Sequence, residues 1–92
     1  MSKYEILDKA VGLALEVGFN NIRRDTVARR AGCATGLVSH YFKNMDGLRT
    51  AIMEEAIKAE HVTIIAQGLA QGDTVAMSAP ARLKTKALAT LM

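Results

Sequence analysis

The residues whose types and spacing suggest chemistry are cations and hydrogen-bond donors that lie between residues 21 and 50. This segment has six basic side chains against two acidic ones, whereas residues 1–20 and 51–72 are slightly acidic. The basic residues are Arg23, Arg24, Arg29, Arg30, Lys43 and Arg49. Such a concentration suits an anionic polymer such as a nucleic acid, although a short basic stretch is also compatible with an ordinary solvated surface.

A second group of small or hydrogen-bonding residues follows Gly32 at helical spacing. Its members are Thr35, Gly36, Ser39 and His40. Surface helices usually carry long charged side chains, whereas small polar groups let a helix backbone approach a partner closely. This favours a surface that faces a nucleic-acid groove, although short exposed helices with such faces also occur without function. For His40 the alternative is an ordinary surface histidine.

The sequence contains no residue pattern typical of catalysis or metal binding. It has no paired carboxylates, no nucleophile beside a base and no His or Cys cluster, so we expect no enzyme, no cofactor and no metal. The single Cys33 excludes an internal disulfide, and we interpret it as a buried small hydrophobe, with a redox switch as the alternative. Because no apolar run has signal-peptide or membrane-spanning length, we expect a cytoplasmic protein without a membrane partner.

The element that must position these residues is the stretch Asp25–Phe42, which predicts two short helices joined by a glycine turn. The first contains Val27, Ala28 and Ala31, Gly32 interrupts the period, and the second runs over residues 35–42. Two helices joined in this way form a helix-turn-helix, whose second helix enters the DNA major groove. Arg29 and Arg30 have two interpretations, either favourable charges at the end of a helix or phosphate contacts.

The remaining sequence predicts an all-α protein, with residues 1–46 as a three-helix helix-turn-helix unit and 47–92 as dimerisation helices. Ser2 and Glu5 predict a capping box before a first helix that ends at Gly18. A long fourth helix is expected from Asn44 to Gln67 or Gln71, and a fifth from an N-cap at Ser78. Because the apolar surface of the fourth helix exceeds what the first three helices cover, we expect a dimer. The residues expected to pair are Ile57, Ile64, Ile65, Leu83 and Leu88.

Three stretches in order resemble the N-terminal DNA-binding domain of the tetracycline-repressor (TetR) family. Residues 6–19 read ILDKAVGLALEVGF, similar to the family pattern ILDAALELFAEKGF. Residues 26–42 read TVARRAGCATGLVSHYF, similar to DIAERAGVSKGTLYHHF. Residues 44–52 read NMDGLRTAI, similar to SKEALLAAV. The resemblance covers residues 3–58 well and implies a cytoplasmic homodimer that binds double-stranded DNA and represses transcription.

The resemblance also implies which residues contact DNA, because family members place the start of helix 2, most of helix 3 and the start of helix 4 on the duplex. Carried over by position, these residues are Arg23, Arg24, Thr26, Ala34, Thr35, Gly36, Ser39, His40 and Lys43.

Several positions depart from the family pattern. Ala34 stands where Ser or Thr usually caps the third helix, at a cost of about 1 kcal/mol unless Thr35 caps it instead. Ser39 stands where a phosphate-contacting Tyr is frequent. Met45 stands where Lys is frequent, with Lys43 two positions earlier as a possible substitute. The chain also ends where the family's larger domain would begin, so we expect no small-molecule inducer pocket.

The sequence therefore predicts a dimeric, sequence-specific repressor whose third helix reads one half of a palindromic operator. The alternative is a helix-turn-helix protein that binds another protein, as an antirepressor or co-regulator does.

Overall fold

The computed structural model describes residues 1–92 and consists of helices and short connections. This confirms the predicted all-α class. The helices are α1 (Lys3–Val17), α2 (Arg24–Ala31), α3 (Thr35–Phe42), α4 (Met45–Lys58), α5 (Val62–Gln71), α6 (Thr74–Met77) and α7 (Ala81–Ala89), with a 3₁₀ turn at Phe19–Asn21.

The start and the end of α1 follow from its sequence. The Ser2 hydroxyl accepts a hydrogen bond from the Glu5 amide, and the Glu5 carboxylate accepts one from the Ser2 amide. The bond from the Ser2 backbone amide is the main reason why the pKa of Glu5 lies below its ordinary value. At the other end Gly18 has φ 97°, a conformation that glycine adopts without a Cβ penalty. The capping box and the end of α1 at Gly18 are confirmed, although the ψ of 145° at Gly18 is not that of a left-handed helical cap.

The helix-turn-helix is built as predicted. Gly32 ends α2 in a left-handed conformation with φ 73° and ψ 33°. Val27 of α2 and Val38 and Phe42 of α3 are buried in one core with α1. Burial of these side chains fixes α3 against the other two helices and leaves its opposite face in solvent.

The long fourth helix predicted from Asn44 to Gln67 or Gln71 is wrong. The helix ends at Lys58, Glu60 adopts a left-handed φ of 58°, and α5 begins at Val62. The His61 amide bonds the Ala56 carbonyl at 2.8 Å, which satisfies an acceptor at the end of α4. No Gly or Pro lies at this break. The helical spacing of apolar residues therefore predicted one continuous helix across it. The residues after the break form the separate helix α5, which packs against α4 of the same chain.

The packing of α5 against its own chain also corrects the prediction of which residues pair with a second copy. Ile64 and Ile65 are 0% exposed and Leu83 is 1% exposed, so all three lie in the interior of a single chain. Ile57 is half-buried, and Leu88 remains 50% exposed. We expected a second copy to cover the apolar surface that the first three helices leave open, whereas α5, α6 and α7 of the same chain cover it.

The fifth predicted helix also begins at a different place. Ser78 does not cap it; its hydroxyl donates to the Val75 carbonyl at 2.6 Å at the end of α6. The helix α7 starts after Pro80, which makes no side-chain cap. The separate short helix α6 has Asp73 as its N-cap, whose carboxylate accepts from the Ala76 amide at 2.9 Å.

The C-terminal helices are joined to the N-terminal unit. The Gln67 side-chain oxygen accepts the Phe19 amide at 2.5 Å, which ties α5 to the turn after α1. Gly68 lets α4 and α6 approach α5, since a Cβ there would lie 2.4 Å from Met53 Cε and 2.9 Å from Ala76 Cβ. A single core of 23 buried residues runs from Ile6 to Ala87. The core is continuous across residue 46, and the division into two functional units at that residue stays a prediction.

Candidate nucleic-acid interface

The outer face of α3 is available to a partner. Thr35, Gly36 and His40 are exposed and Ser39 is partly exposed, whereas Val38 and Phe42 point into the core. Ala34 is the N-cap and makes no side-chain hydrogen bond, so α3 does begin at Thr35 without a side-chain cap. The helix therefore presents small polar groups and uncapped backbone amides at its start.

A shallow concavity of about 590 Å³ lies between the N-terminal ends of α2, α3 and α4. We refer to it as the basic concavity. Its lining consists of Ile22, Arg23, Arg24, Asp25, Thr35, Lys43, Asn44, Met45 and Arg49. Four cations against one carboxylate give this surface an excess of positive charge. Because it is open to solvent, a phosphate group can approach these cations directly.

Weak, exposed contacts hold the two arginines that precede and begin α2. The guanidinium of Arg24 donates to the Ser39 hydroxyl at 2.8 Å, which places this cation beside α3. Arg23 Nε lies 3.7 Å from an Asp25 carboxylate oxygen, and both side chains are more than half exposed. Exposed pairs of this kind contribute little to stability, so both arginines can exchange these partners for phosphate.

The turn between α3 and α4 fixes the position of Lys43. This residue has φ 71° and ψ −62°, and the Asn44 amide donates to the Phe42 carbonyl at 2.9 Å. Those features describe a γ-turn of the rare, strained type. Asn44 then caps α4 by accepting the Gly47 amide at 2.8 Å. A Cβ at residue 47 would lie 2.0 Å from the Phe42 carbonyl oxygen, so glycine is needed for this close approach.

The structure brings together some of the sequence-predicted contact residues but not all of them. Arg23, Arg24, Thr35 and Lys43 line the basic concavity, and Ser39 joins the group through Arg24. The other predicted residues lie outside its lining; they are Thr26, Ala34, Gly36 and His40.

The Thr26 hydroxyl is already engaged, because it donates to the Arg23 carbonyl at 2.9 Å.

Arg49 also lines the basic concavity, and sequence reasoning did not include it among the contact residues. The available signal was its spacing, because it lies one helical turn after Met45 on the same face.

Other polar residues near α3 have structural partners. Arg30 forms an ion pair with Glu16 that joins α2 to α1, which favours a structural role for this cation. The Tyr41 hydroxyl donates to the Met1 carbonyl at 3.0 Å, and the ring contacts His40 edge-on at 5.1 Å. Tyr41 therefore holds the N-terminal residues beside α3.

Cys33 packs against the core as a small hydrophobe, but it is only partly buried and not buried as expected. No group of three or more His, Cys, Asp or Glu side chains has a geometry that could hold a metal ion. None of the helices combines the length and the apolar character that crossing a bilayer requires.

An exposed second helix after a glycine turn, with a basic concavity at its start, defines a helix-turn-helix protein. Residues 6–52, just over half of the chain, match the family described as "Bacterial regulatory proteins, tetR family". The chain belongs to this family, which confirms the resemblance inferred from the sequence.

Similar proteins include three called "HTH-type transcriptional regulator BetI". The protein from Klebsiella pneumoniae (strain 342) is 39% identical over 51 residues, covering 55% of this chain and 26% of the relative. That from Cronobacter sakazakii (strain ATCC BAA-894) is 34% identical over 74 residues, 78% of this chain and 37% of the relative. That from Serratia proteamaculans (strain 568) is 36% identical over 55 residues, 60% of this chain and 28% of the relative. The aligned part of the chain thus spans between about a quarter and just over a third of these relatives. No solved structure is significantly similar to the chain.

Proposed function

We propose that the chain is a cytoplasmic transcriptional regulator that binds double-stranded DNA as a dimeric repressor. The observation that carries this proposal is the basic concavity at the start of an exposed α3, in a member of a family of regulatory proteins. In this proposal α3 (residues 35–42) enters the major groove of one half of a palindromic operator.

The contact residues divide by chemistry. Arg23, Arg24 and Lys43 are flexible cations suited to phosphate, and they set the position of the protein on the duplex. Thr35 and His40 are the exposed groups of α3 that can reach base edges, and the Thr35 methyl can pack against a thymine methyl.

Pairing of two copies is part of the proposal, because two reading helices need a fixed spacing to recognise a palindrome. Leu88 is 50% exposed and Leu91 is 54% exposed, and both lie at the C-terminal end of the chain. We propose that this apolar surface contributes to the dimer interface. The molar mass in solution at micromolar concentration tests this part, since a strict monomer would contradict it.

Selection of bound duplexes from a random-sequence library tests the main proposal. The expected result is enrichment of a sequence with two inverted half-sites, bound more weakly as salt increases. His40→Ala should relax base preference at one position of each half-site, whereas Arg23→Gln should weaken binding to all sequences alike. Binding that ignores salt and survives the loss of Arg23, Arg24 and His40 would contradict DNA recognition and favour the protein-binding alternative.

A further inference from the structure

Met45 and Arg49 lie one helical turn apart on α4, and both line the basic concavity. At these two positions the family pattern SKEALLAAV has Lys and Leu, whereas this chain has Met and Arg. Relative to that pattern, the chain has an apolar residue in place of a cation and a cation in place of an apolar residue. The two departures share one face of one helix, so they preserve the charge of that face.

The contacts of Arg49 leave it available to a ligand. Its side chain is 37% exposed, and its nearest carboxylate is Asp46 at 3.8 Å, beyond hydrogen-bonding distance. The Asp46 side chain is itself 96% exposed, so the pair is screened by water and contributes little. No closer partner holds the guanidinium, and its long side chain can turn toward the open side of the basic concavity.

The other cations of the concavity point to the same type of ligand. Arg23 and Arg24 line the concavity from the start of α2 and Lys43 from the turn before α4, so Arg49 is its fourth cation. A planar guanidinium with several N–H groups matches the oxygens of a phosphate.

We propose that Arg49 contacts a phosphate of the DNA backbone and replaces the cation that is missing at residue 45. This inference rests on the proposed DNA binding and adds a residue to it. Arg49 would contribute to affinity for every sequence alike, because a phosphate contact carries no base information.

The test measures binding of a fluorescent random-sequence duplex of about 30 base pairs, long enough for two half-sites one helical turn apart. Arg49→Gln removes one phosphate contact from each subunit, so for a dimer on two half-sites the slope of log K against log salt should become shallower by about 1.8. The ratio of wild-type to variant affinity should then be about 12-fold larger at 50 mM salt than at 200 mM. Lys58→Gln is the matched control, because it makes a similar loss of charge at the exposed far end of the same helix and should leave the slope unchanged.

The decisive variant restores the usual cation. Met45→Lys introduced into Arg49→Gln should return the slope and the affinity toward those of the wild type. An unchanged slope in Arg49→Gln, or an equal change in Lys58→Gln, would overturn the role of Arg49 while DNA binding by the wild type stands. Failure of the wild-type protein to bind any duplex would instead overturn the proposed function itself.

Discussion

Replacement of Gly47 by alanine should destabilise the protein, although alanine is the better helix former. Gly47 lies in the first turn of α4, and a Cβ there would lie 2.0 Å from the Phe42 carbonyl oxygen. This is about 1.5 Å less than an ordinary carbon contact distance of about 3.5 Å. Since the obstacle is a backbone oxygen, no rotamer change relieves the overlap, and the turn at Lys43 must open.

The expected magnitude follows from three contributions. Overpacking costs about 1–3 kcal/mol. Displacement of the Gly47 amide from the Asn44 side chain removes a helix cap worth about 1 kcal/mol. The gain in helix propensity on replacing glycine by alanine offsets about 1 kcal/mol of this. The net loss of about 1–3 kcal/mol corresponds to a decrease in Tm of roughly 5–20 °C for a chain of this size.

Thermal unfolding followed by circular dichroism measures the effect, at one fixed protein concentration because pairing would make Tm concentration-dependent. Gly36→Ala is the matched control, because Gly36 lies in the first turn of α3 and a Cβ added there would meet no other side chain or neighbouring helix within 4 Å. That variant should be as stable as the wild type or up to about 1 kcal/mol more stable. If Gly47→Ala is also neutral or stabilising, the close approach of α4 to the end of α3 is wrong.

Three further predictions concern single contacts. Ala34→Ser should supply the absent side-chain cap of α3 and raise stability by about 1 kcal/mol, or roughly 4–8 °C in Tm; no increase would contradict the cap assignment. Gln67→Ala should leave the Phe19 amide without its acceptor, which should lower the free energy of unfolding by about 1–3 kcal/mol and speed hydrogen exchange at that amide. Gln67→Glu keeps an acceptor, so the Phe19 amide should exchange more slowly in that variant than in Gln67→Ala. The hydrogen bond and charge of Arg82 lower the pKa of Glu60. The ionised carboxylate therefore stabilises the fold at pH values above its ordinary pKa, and this stabilisation is lost as the pH falls through the lowered pKa. Glu60→Gln should lower Tm at pH 7 and leave Tm unchanged at strongly acidic pH.

The sequence predicted the first half of the fold well because its signals are local. The capping box at Ser2 and Glu5, the glycine at residue 18 and the glycine turn at residue 32 each fix backbone geometry within a few residues. Such signals do not depend on what packs against them, so α1, α2 and α3 lie close to their expected bounds.

The break after Lys58 could not be predicted in this way, because its cause is tertiary. Glu60 adopts a left-handed conformation that costs free energy for a residue with a Cβ. The cost is offset by burial of Ile64 and Ile65 against helices elsewhere in the chain, and Arg82 contacts Glu60 at 3.1 and 3.2 Å. None of these interactions has a local sequence signal.

The candidate site also contains residues that the sequence predicted and one that it did not. The cations from the start of α2 and Lys43 were predicted because the resemblance supplies their positions. Arg49 was missed because a resemblance transfers only the positions at which the family has contacts. The relation between Met45 and Arg49 becomes visible only when both line one surface.

The buried positions of Ile64, Ile65 and Leu83 change what the second half of the chain does. These residues belong to the core that supports α3, and the Gln67 bond to Phe19 connects α5 to the turn that follows α1. A substitution at Ile64 should therefore act first on the stability of the helix-turn-helix unit. Substitution of Leu88, which is exposed, should instead change pairing and leave the fold intact. The two positions thus separate loss of folding from loss of pairing as causes of weakened DNA binding.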